Sequence, residues 1–218
     1  MIKADHNKLA HLVFSLYLKS LLKSSFKEFI IINELPMIDN SKGLIVTPNH
    51  FSWWDGFFIY WLNKKLLKKK LFILMLEEQL KRYWFFKYLG CYSIELNDKR
   101  KTFASLKYTL ELVSNSNNVI AIYPQGEIQP YDHRPIVIKD GINFLSQKAK
   151  AAFSILPIAF KIHYSNEKLP TIYVRFGKLL TSSDAYSNPE LLKNEFINNL
   201  NMLNSDYLTT SSYNIIDI

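Results

Sequence analysis

Gly43-Leu44-Ile45-Val46-Thr47-Pro48-Asn49-His50-Phe51-Ser52-Trp53-Trp54-Asp55 is the stretch from which the fold of this 218-residue chain is read. Leu44 to Thr47 is apolar and β-branched, as in a strand covered on both faces, and Pro48 cannot donate the next ladder hydrogen bond, so the chain turns there. Ser52-x-x-Asp55 just ahead of Gly56-Phe57-Phe58-Ile59-Tyr60-Trp61 is a capping-box-like helix start. His50 therefore falls in a strand-to-helix loop and Asp55 in the first helical turn, where the histidine can fold back onto the carboxylate. A carboxylate that accepts the Nδ1 proton fixes the tautomer, leaves Nε2 free as a general base and stabilises the imidazolium once formed. The plainer alternative is that Asp55 only caps the helix and His50 is an ordinary loop histidine.

Outward from this stretch the pattern alternates, which means an α/β fold. Strand 43–48 precedes a helix from about 53 to 63, a strand Leu71 to Leu76 and a helix from about 77 to 88. A short strand over Gly90 to Leu96 and a helix to about Val113 follow, then a strand from Val119 broken by Pro124 and Gly126. Asp140 can cap a helix running to about Ala151. Phe153 to Phe160 reads as a strand, but its internal Pro157 is poorly tolerated in a central ladder, so an edge position or a bulge is expected. Thr171 to Leu180 gives a last strand, Asn188-Pro189-Glu190 starts a helix to about Leu203, and Ser205 to Ile218 carries no clear signal.

Lys8 to Ile32 is strongly apolar but interrupted by Lys19, Lys23 and Lys27. About 18 consecutive apolar residues would be needed to span a bilayer, so no transmembrane span is expected, and no small-residue cleavage site suggests a secretory signal. At 100° per residue the three lysines fall within an arc of about 80°. One or two amphipathic helices follow, which either dock at a membrane interface or pack on the domain. The organisation expected is an amphipathic segment over 1–35 and a single α/β domain over 36–218.

The net charge of +8, with 27 lysines and arginines, calls for an anionic partner. Lys64-Lys65-Leu66-Leu67-Lys68-Lys69-Lys70 could suggest nucleic acid, but no nucleic-acid-binding motif accompanies it, and none is expected as a partner. Trp53, Trp54, Phe57, Phe58, Trp61 and the run Tyr83 to Tyr88 favour anionic lipid instead. A single cysteine, Cys91, excludes an intramolecular disulfide framework and a multi-thiolate zinc site, and points to a reducing compartment. His6, His11, His133 and His163 show no paired metal-ligand spacing around His50, and no Gly-x-Ser-x-Gly elbow marks a serine hydrolase.

Asn49-His50-x-Ser52-x-x-Asp55 after a strand resembles the first block of the glycerolipid acyltransferases related to lysophosphatidic acid acyltransferase. Gly90 to Leu96 resembles the second block, with Leu96 where the family places an arginine that holds the acceptor's phosphate; Arg100 is either a substitute or a surface charge on the next helix. Tyr123-Pro124-Gln125-Gly126-Glu127 is similar to the third block, usually Phe-Pro-Glu-Gly-Thr-Arg, with Gln125 for the glutamate, Ile128 for the arginine, and Arg134 further on as a possible cation. Pro157 between Leu156 and Ile158 resembles the fourth block, which lines the acyl site.

The resemblance, over roughly residues 40 to 180, implies a mixed, mostly parallel sheet flanked by helices. It implies transfer of a fatty acyl group from acyl-CoA or an acidic acyl carrier protein to a lipid hydroxyl, with no metal or redox cofactor, at the cytoplasmic face of a membrane. His50 would be the base and Asp55 its orienting carboxylate, with Asn49, Ser52, the Tyr123–Glu127 turn, Arg100, Arg134 and Pro157 about the substrates. The competing expectation is a membrane-docking scaffold of the same fold without turnover, because the altered blocks lose two charges.

Overall fold

The computed structural model describes residues 1–209 and 214–218. In chain order its elements are α1 (Lys8–Ser25), β1 (Phe29–Ile31), β2 (Gly43–Pro48), α2 (Asp55–Leu62), β3 (Lys70–Leu76), α3 (Glu77–Arg82), β4 (Cys91–Ile94), α4 (Lys99–Val113) and β5 (Asn118–Ala121). There follow α5 (Gly141–Lys148), β6 (Phe153–His163), β7 (Thr171–Phe176), β8 (Leu180–Thr181), α6 (Ser182–Ser187), α7 (Pro189–Asp206) and β9 (Asn214–Ile216). A π-helical turn, Asn63–Leu67, extends α2, and a 3-10 turn, Trp84–Leu89, precedes β4.

One sheet runs β4-β3-β5-β2-β6-β7-β1-β9, with β8 paired to β6. The strands β4, β3, β5, β2 and β6 are mutually parallel, while β7 runs antiparallel to β6 and β9 antiparallel to β1. The alternation of side chains along β2 explains the two-sided core: Leu44 and Val46 pack with Leu18, Leu22, Phe58 and Trp61 of α1 and α2, and Ile45 packs with Ile120, Leu145 and Phe153 on the other face. Completely burying a side chain such as Phe58 contributes roughly 1.5–3 kcal/mol. Gly43 opens β2 because a Cβ there would lie 1.8 Å from the Val113 carbonyl oxygen, where the end of α4 crosses the sheet.

The expected α/β fold and its strand-helix alternation hold, with four differences. Helix α1 stops at Ser25, and Phe29-Ile30-Ile31 pairs with β7, so the segment read as helical to Ile32 puts a strand into the sheet past the boundary drawn at residue 35. Its β-branched run suits a pleated, covered position. The helix expected over 77–88 breaks at Tyr83, whose φ −111° and ψ 53° divert the chain into the 3-10 turn. The tail, which carried no signal, supplies β9.

Pro157 is not on an edge strand: β6 lies between β2 and β7 in the middle of the sheet. On the flank facing β7, pairing with β8 ends at Ile155 and pairing with β7 begins at Ile158. Pro157 falls in that gap, where its carbonyl accepts the Gly177 N–H at 2.8 Å and its missing N–H leaves no rung empty.

Candidate active site

The parallel register aligns Val46 of β2 with Ala121 of β5, so the loops leaving the carboxyl ends of these neighbouring strands emerge about 4.8 Å apart. One loop carries Asn49 to Ser52 and the other Tyr123 to Gln129. Crevices at the carboxyl ends of parallel strands are the usual ligand sites of open α/β sheets.

His50 Nδ1 lies 2.8 Å from Asp55 Oδ2, with the imidazole side chain 23% exposed and the carboxylate fully buried. The same Oδ2 accepts the N–H groups of Phe51 at 2.7 Å and Ser52 at 3.0 Å, while Oδ1 accepts the Ser52 hydroxyl at 3.1 Å. Four donors converge on the two oxygens of this buried side chain, which holds the ring by Nδ1 and leaves His50 Nε2 as the ring nitrogen available to substrate.

The His50 peptide is gripped from both sides by two glutamines. Its N–H donates to Gln125 Oε1 at 2.6 Å, Gln125 Nε2 donates to Gln129 Oε1 at 3.0 Å, and the Gln129 N–H donates to the His50 carbonyl at 3.0 Å. Gln125 and Gln129 are 6% and 8% exposed, so this is a buried and satisfied amide bracket. It gives the departure from the family's glutamate a role that a carboxylate, lacking an N–H, could not duplicate toward Gln129 Oε1. Gln129 escaped the sequence reading; its only signal was a second glutamine four residues after the first, across a proline-glycine turn.

Tyr123 sets its ring 4.4 Å from the imidazole, and its buried hydroxyl has no hydrogen-bond partner among the described residues. Burial, followed by the nearby Asp55 charge, pushes that phenol well above its ordinary range, so it stays protonated. Gly126 holds φ +76°, which closes the turn with its N–H on the Tyr123 carbonyl at 3.0 Å. The Lys139 side chain crosses directly over it, its Nζ 2.8 Å from where a Cβ would stand. Lys139 is thus a cation at the third block that the search for arginines passed over.

The other expected site residues make the following contacts within the fold. The Asn49 side chain exchanges two hydrogen bonds with the Phe160 backbone, at 3.0 and 2.7 Å, and acts as an extra rung between β2 and β6. The Ser52 hydroxyl is held between Asp55 and the Trp54 N–H. Pro124 is buried and accepts the Lys139 N–H at 2.8 Å, while Glu127 is exposed. Arg134 lines a recess with Phe51, Gln129 and Tyr131 at the rim of the site, but its guanidinium donates to the carbonyls of Tyr131 and His133. Arg100 is exposed in the first turn of α4, and β4, which precedes it, stands three strand spacings from β2, about 14 Å. Leu96 and Ile128, at the family's arginine positions, are 46% and 54% exposed.

A histidine-carboxylate pair at the mouth of a parallel sheet is an arrangement able to take a proton from a substrate hydroxyl. The acyltransferase family model matches residues 30–161, and the chain belongs to that family. Its fold is similar to that of the 1-acyl-sn-glycerophosphate (LPA) acyltransferase PlsC from Thermotoga maritima, with a TM-score of 0.62 and 16% identity over 93% of this chain and 81% of that one. No curated protein matches the chain.

Proposed function

We propose that this acyltransferase works at a membrane surface and moves a fatty acyl group from acyl-CoA or an acyl carrier protein to a hydroxyl of a lipid. The observation that carries the reading is the 2.8 Å contact between His50 and the buried Asp55. His50 Nε2 removes the hydroxyl proton as the oxygen attacks the thioester carbonyl carbon. The carbon–sulfur bond then breaks, and the imidazolium, stabilised by Asp55, returns its proton to the departing thiolate. No covalent enzyme intermediate is involved.

The surface around the site supports interfacial work. Leu9, Leu12, Val13 and Leu16 form one stripe of α1, each between 58% and 67% exposed. Ring contacts link this helix through Phe14 to Phe57 and exposed Trp53, three residues from His50, and through Phe86 to exposed Phe85 and Trp84. Such an apolar aromatic face rimmed by lysines suits the headgroup boundary of a bilayer. No helix among the described residues is long and apolar enough to cross a membrane. Of the lysines read as one arc, Lys27 lies beyond α1 and is paired with Glu167 at 3.0 Å, which leaves Lys19 and Lys23 on the helix.

For the acceptor we propose an uncharged or weakly charged hydroxyl lipid. A phosphate monoester is gripped by bidentate arginines, and here Leu96 and Ile128 replace them while Arg134 is bound to its own loop. Each missing charge-assisted bond is worth about 1.5–3 kcal/mol. Purified protein given labelled acyl donor and a total lipid extract, with products resolved by mass spectrometry, should form a new acyl ester. Lysophosphatidic acid and non-phosphorylated lyso-lipids competing in one assay should show the latter preferred. No ester with either donor sinks the enzymatic reading in favour of a scaffold; a preference for lysophosphatidic acid that vanishes in Arg134→Ala or Lys139→Ala overturns the acceptor assignment alone.

A further inference from the structure

A cavity of about 420 Å³ opens at the end of α2 opposite Asp55, far from the catalytic pair. Eight helical residues separate the two places, roughly 12 Å along the axis. Its nitrogen-bearing walls are His6, His11, Lys64, Lys68, Lys69 and Lys70, and no carboxylate lines it. Among the described residues none of these four lysines has a carboxylate partner, whereas neighbouring Lys65 is paired with Asp217 at 3.2 Å. Lys64 is shifted downward, by burial first and then by Lys65 and Lys19, two cations outside the cavity lining.

The walls are built rather than left over. Buried Asn63 clamps the lysine loop by donating to the Lys69 carbonyl at 2.9 Å and accepting the Lys69 N–H at 3.3 Å, and its own carbonyl accepts the Lys68 N–H at 2.7 Å. Lys68 holds φ +53°, a left-handed conformation that costs a side chain of this size about 1 kcal/mol, and it ends the π-helical turn there. Behind them a hydrogen-bonded relay runs from Tyr60 to His11 at 2.9 Å and from His11 to His6 at 2.9 Å. Lys69 spends one donor on the Ser116 carbonyl, while no hydrogen bond within the described residues engages the ammonium groups of Lys64, Lys68 or Lys70.

We propose that this cavity is a second, non-catalytic anion site that takes a phosphate group. Lys64 and Lys70 rest over the rings of Trp61 and Phe72, at 5.4 and 5.5 Å, and a ring neutralises no charge, so ammonium groups without a carboxylate partner on a rigid loop match a phosphate's clustered charge; the cavity is large enough to hold it with part of an attached alcohol. Leu12, from the exposed stripe of α1, forms part of the rim, so a phosphate seated here lies beside the apolar face proposed for the bilayer. A lipid headgroup and a free phosphate ester share this chemistry; only the choice between them rests on the interfacial reading, and the site itself is independent of acyl transfer.

The test compares wild type with Lys64→Gln/Lys68→Asn/Lys70→Gln, three exposed positions, with Asn at the left-handed one. Inorganic phosphate, titrated against chloride at constant ionic strength, should shift the His6 and His11 imidazole resonances saturably in wild type and not in the variant. Vesicles of phosphatidylcholine with phosphatidylglycerol should bind the variant about a hundredfold more weakly than wild type, at roughly fivefold per lysine, with acyl transfer to detergent-dispersed substrate unchanged. Saturable phosphate binding with no vesicle difference assigns a free phosphate ester; both effects together assign a lipid headgroup. No saturable shift in wild type, or an equal shift in a folded variant, overturns the proposal, whatever the fate of the catalytic reading.

Discussion

The two ends of α2 handle charge in opposite ways. At its start, Asp55 is fully buried and every approach to it is a donor: an imidazole, two backbone N–H groups and a hydroxyl. At its far end, four lysines share a cavity with no carboxylate on its walls. The first arrangement is closed and electrostatically complete, which suits the catalytic role proposed for it, since nothing would have to reorganise during the reaction. The second is complete only with an anion supplied from outside. One helix thus separates a site that fixes a charge from a site that waits for one.

The sharpest way to break this comparison is to remove the base. His50→Ala should lower turnover at least about 10²-fold while the fold persists, whereas removing Lys64, Lys68 and Lys70 together should leave it unchanged in detergent. Steady-state rates beside a melting curve check both; wild-type turnover in a folded His50→Ala protein ends the proposed mechanism. Asp55→Asn should cost less turnover than His50→Ala. Its amide oxygen can retain the three bonds at Oδ2 and its NH2 can donate to Ser52 Oγ, so the protein folds and only the charge that stabilises the imidazolium is lost. Asp55→Ala strips buried donors of their acceptor and should destabilise by about 1–3 kcal/mol or more, read as a lower denaturant midpoint.

A smaller loss should follow from the glutamine bracket. Gln125→Ala leaves the buried His50 N–H without its 2.6 Å acceptor and frees Gln129, so the loop carrying the base loosens. About tenfold in kcat, with KM little changed, is expected, the signature of an interaction that positions the base in the transition state. Gln125→Glu should not restore full activity, because it cannot donate to Gln129 Oε1. If Gln125→Glu equals wild type, the bracket is only packing.

Why some of this was readable in advance follows from its physical range. The His50–Asp55 pair is local: a proline-ended strand, a cap and a spacing of five residues bring the two groups together with no help from the rest of the chain. The α/β alternation was legible for the same reason, since buried strands such as Leu44–Thr47 advertise themselves by composition. What stayed hidden depends on partners distant in sequence. Phe29–Ile31 is a strand because Ile172–Val174 lies beside it, and β9 because β1 does. Asn49 could not be told from a ligand-binding residue until Phe160, 111 positions away, was seen to occupy both ends of its amide. Pro157 was expected at an edge or a bulge because nothing local shows that two antiparallel partners stop on either side of it. The lysine run shows in the sequence only as a block of charge; its clustering around a cavity with two histidines from the leading arm and α1 is a tertiary fact.

The smallest expected effect concerns those histidines and sharpens the account of the far end. His6 is drawn from its ordinary value near 6.5 down to about 4, by burial first, then by the Lys70 charge and by His11, and His11 moves in the same direction from burial and Lys70. Both are therefore neutral in the fold at pH 7, facing Tyr60 from α2 and Lys70 from β3. Because the folded value is depressed, the unfolded chain takes up the proton first, so the stability this pair contributes is whole above pH about 6.5 and drains away as pH falls toward about 4. The element released is the leading arm, residues 2–7, which otherwise runs along β4 and the 3-10 turn before it, with backbone bonds from Ser93 to Ile2, Asp5 to Lys87 and Asn7 to Tyr88. Hydrogen exchange at Asp5 and Asn7 should accelerate between pH 6.5 and 4 beyond the intrinsic pH dependence, and His6→Gln/His11→Gln should abolish that excess. Phosphate should oppose it, since an anion in the lysine cavity favours the protonated pair within the folded state. An arm whose protection is indifferent to pH, or to phosphate where phosphate binding is otherwise measurable, would separate the histidine relay from the lysine site and reduce it to packing.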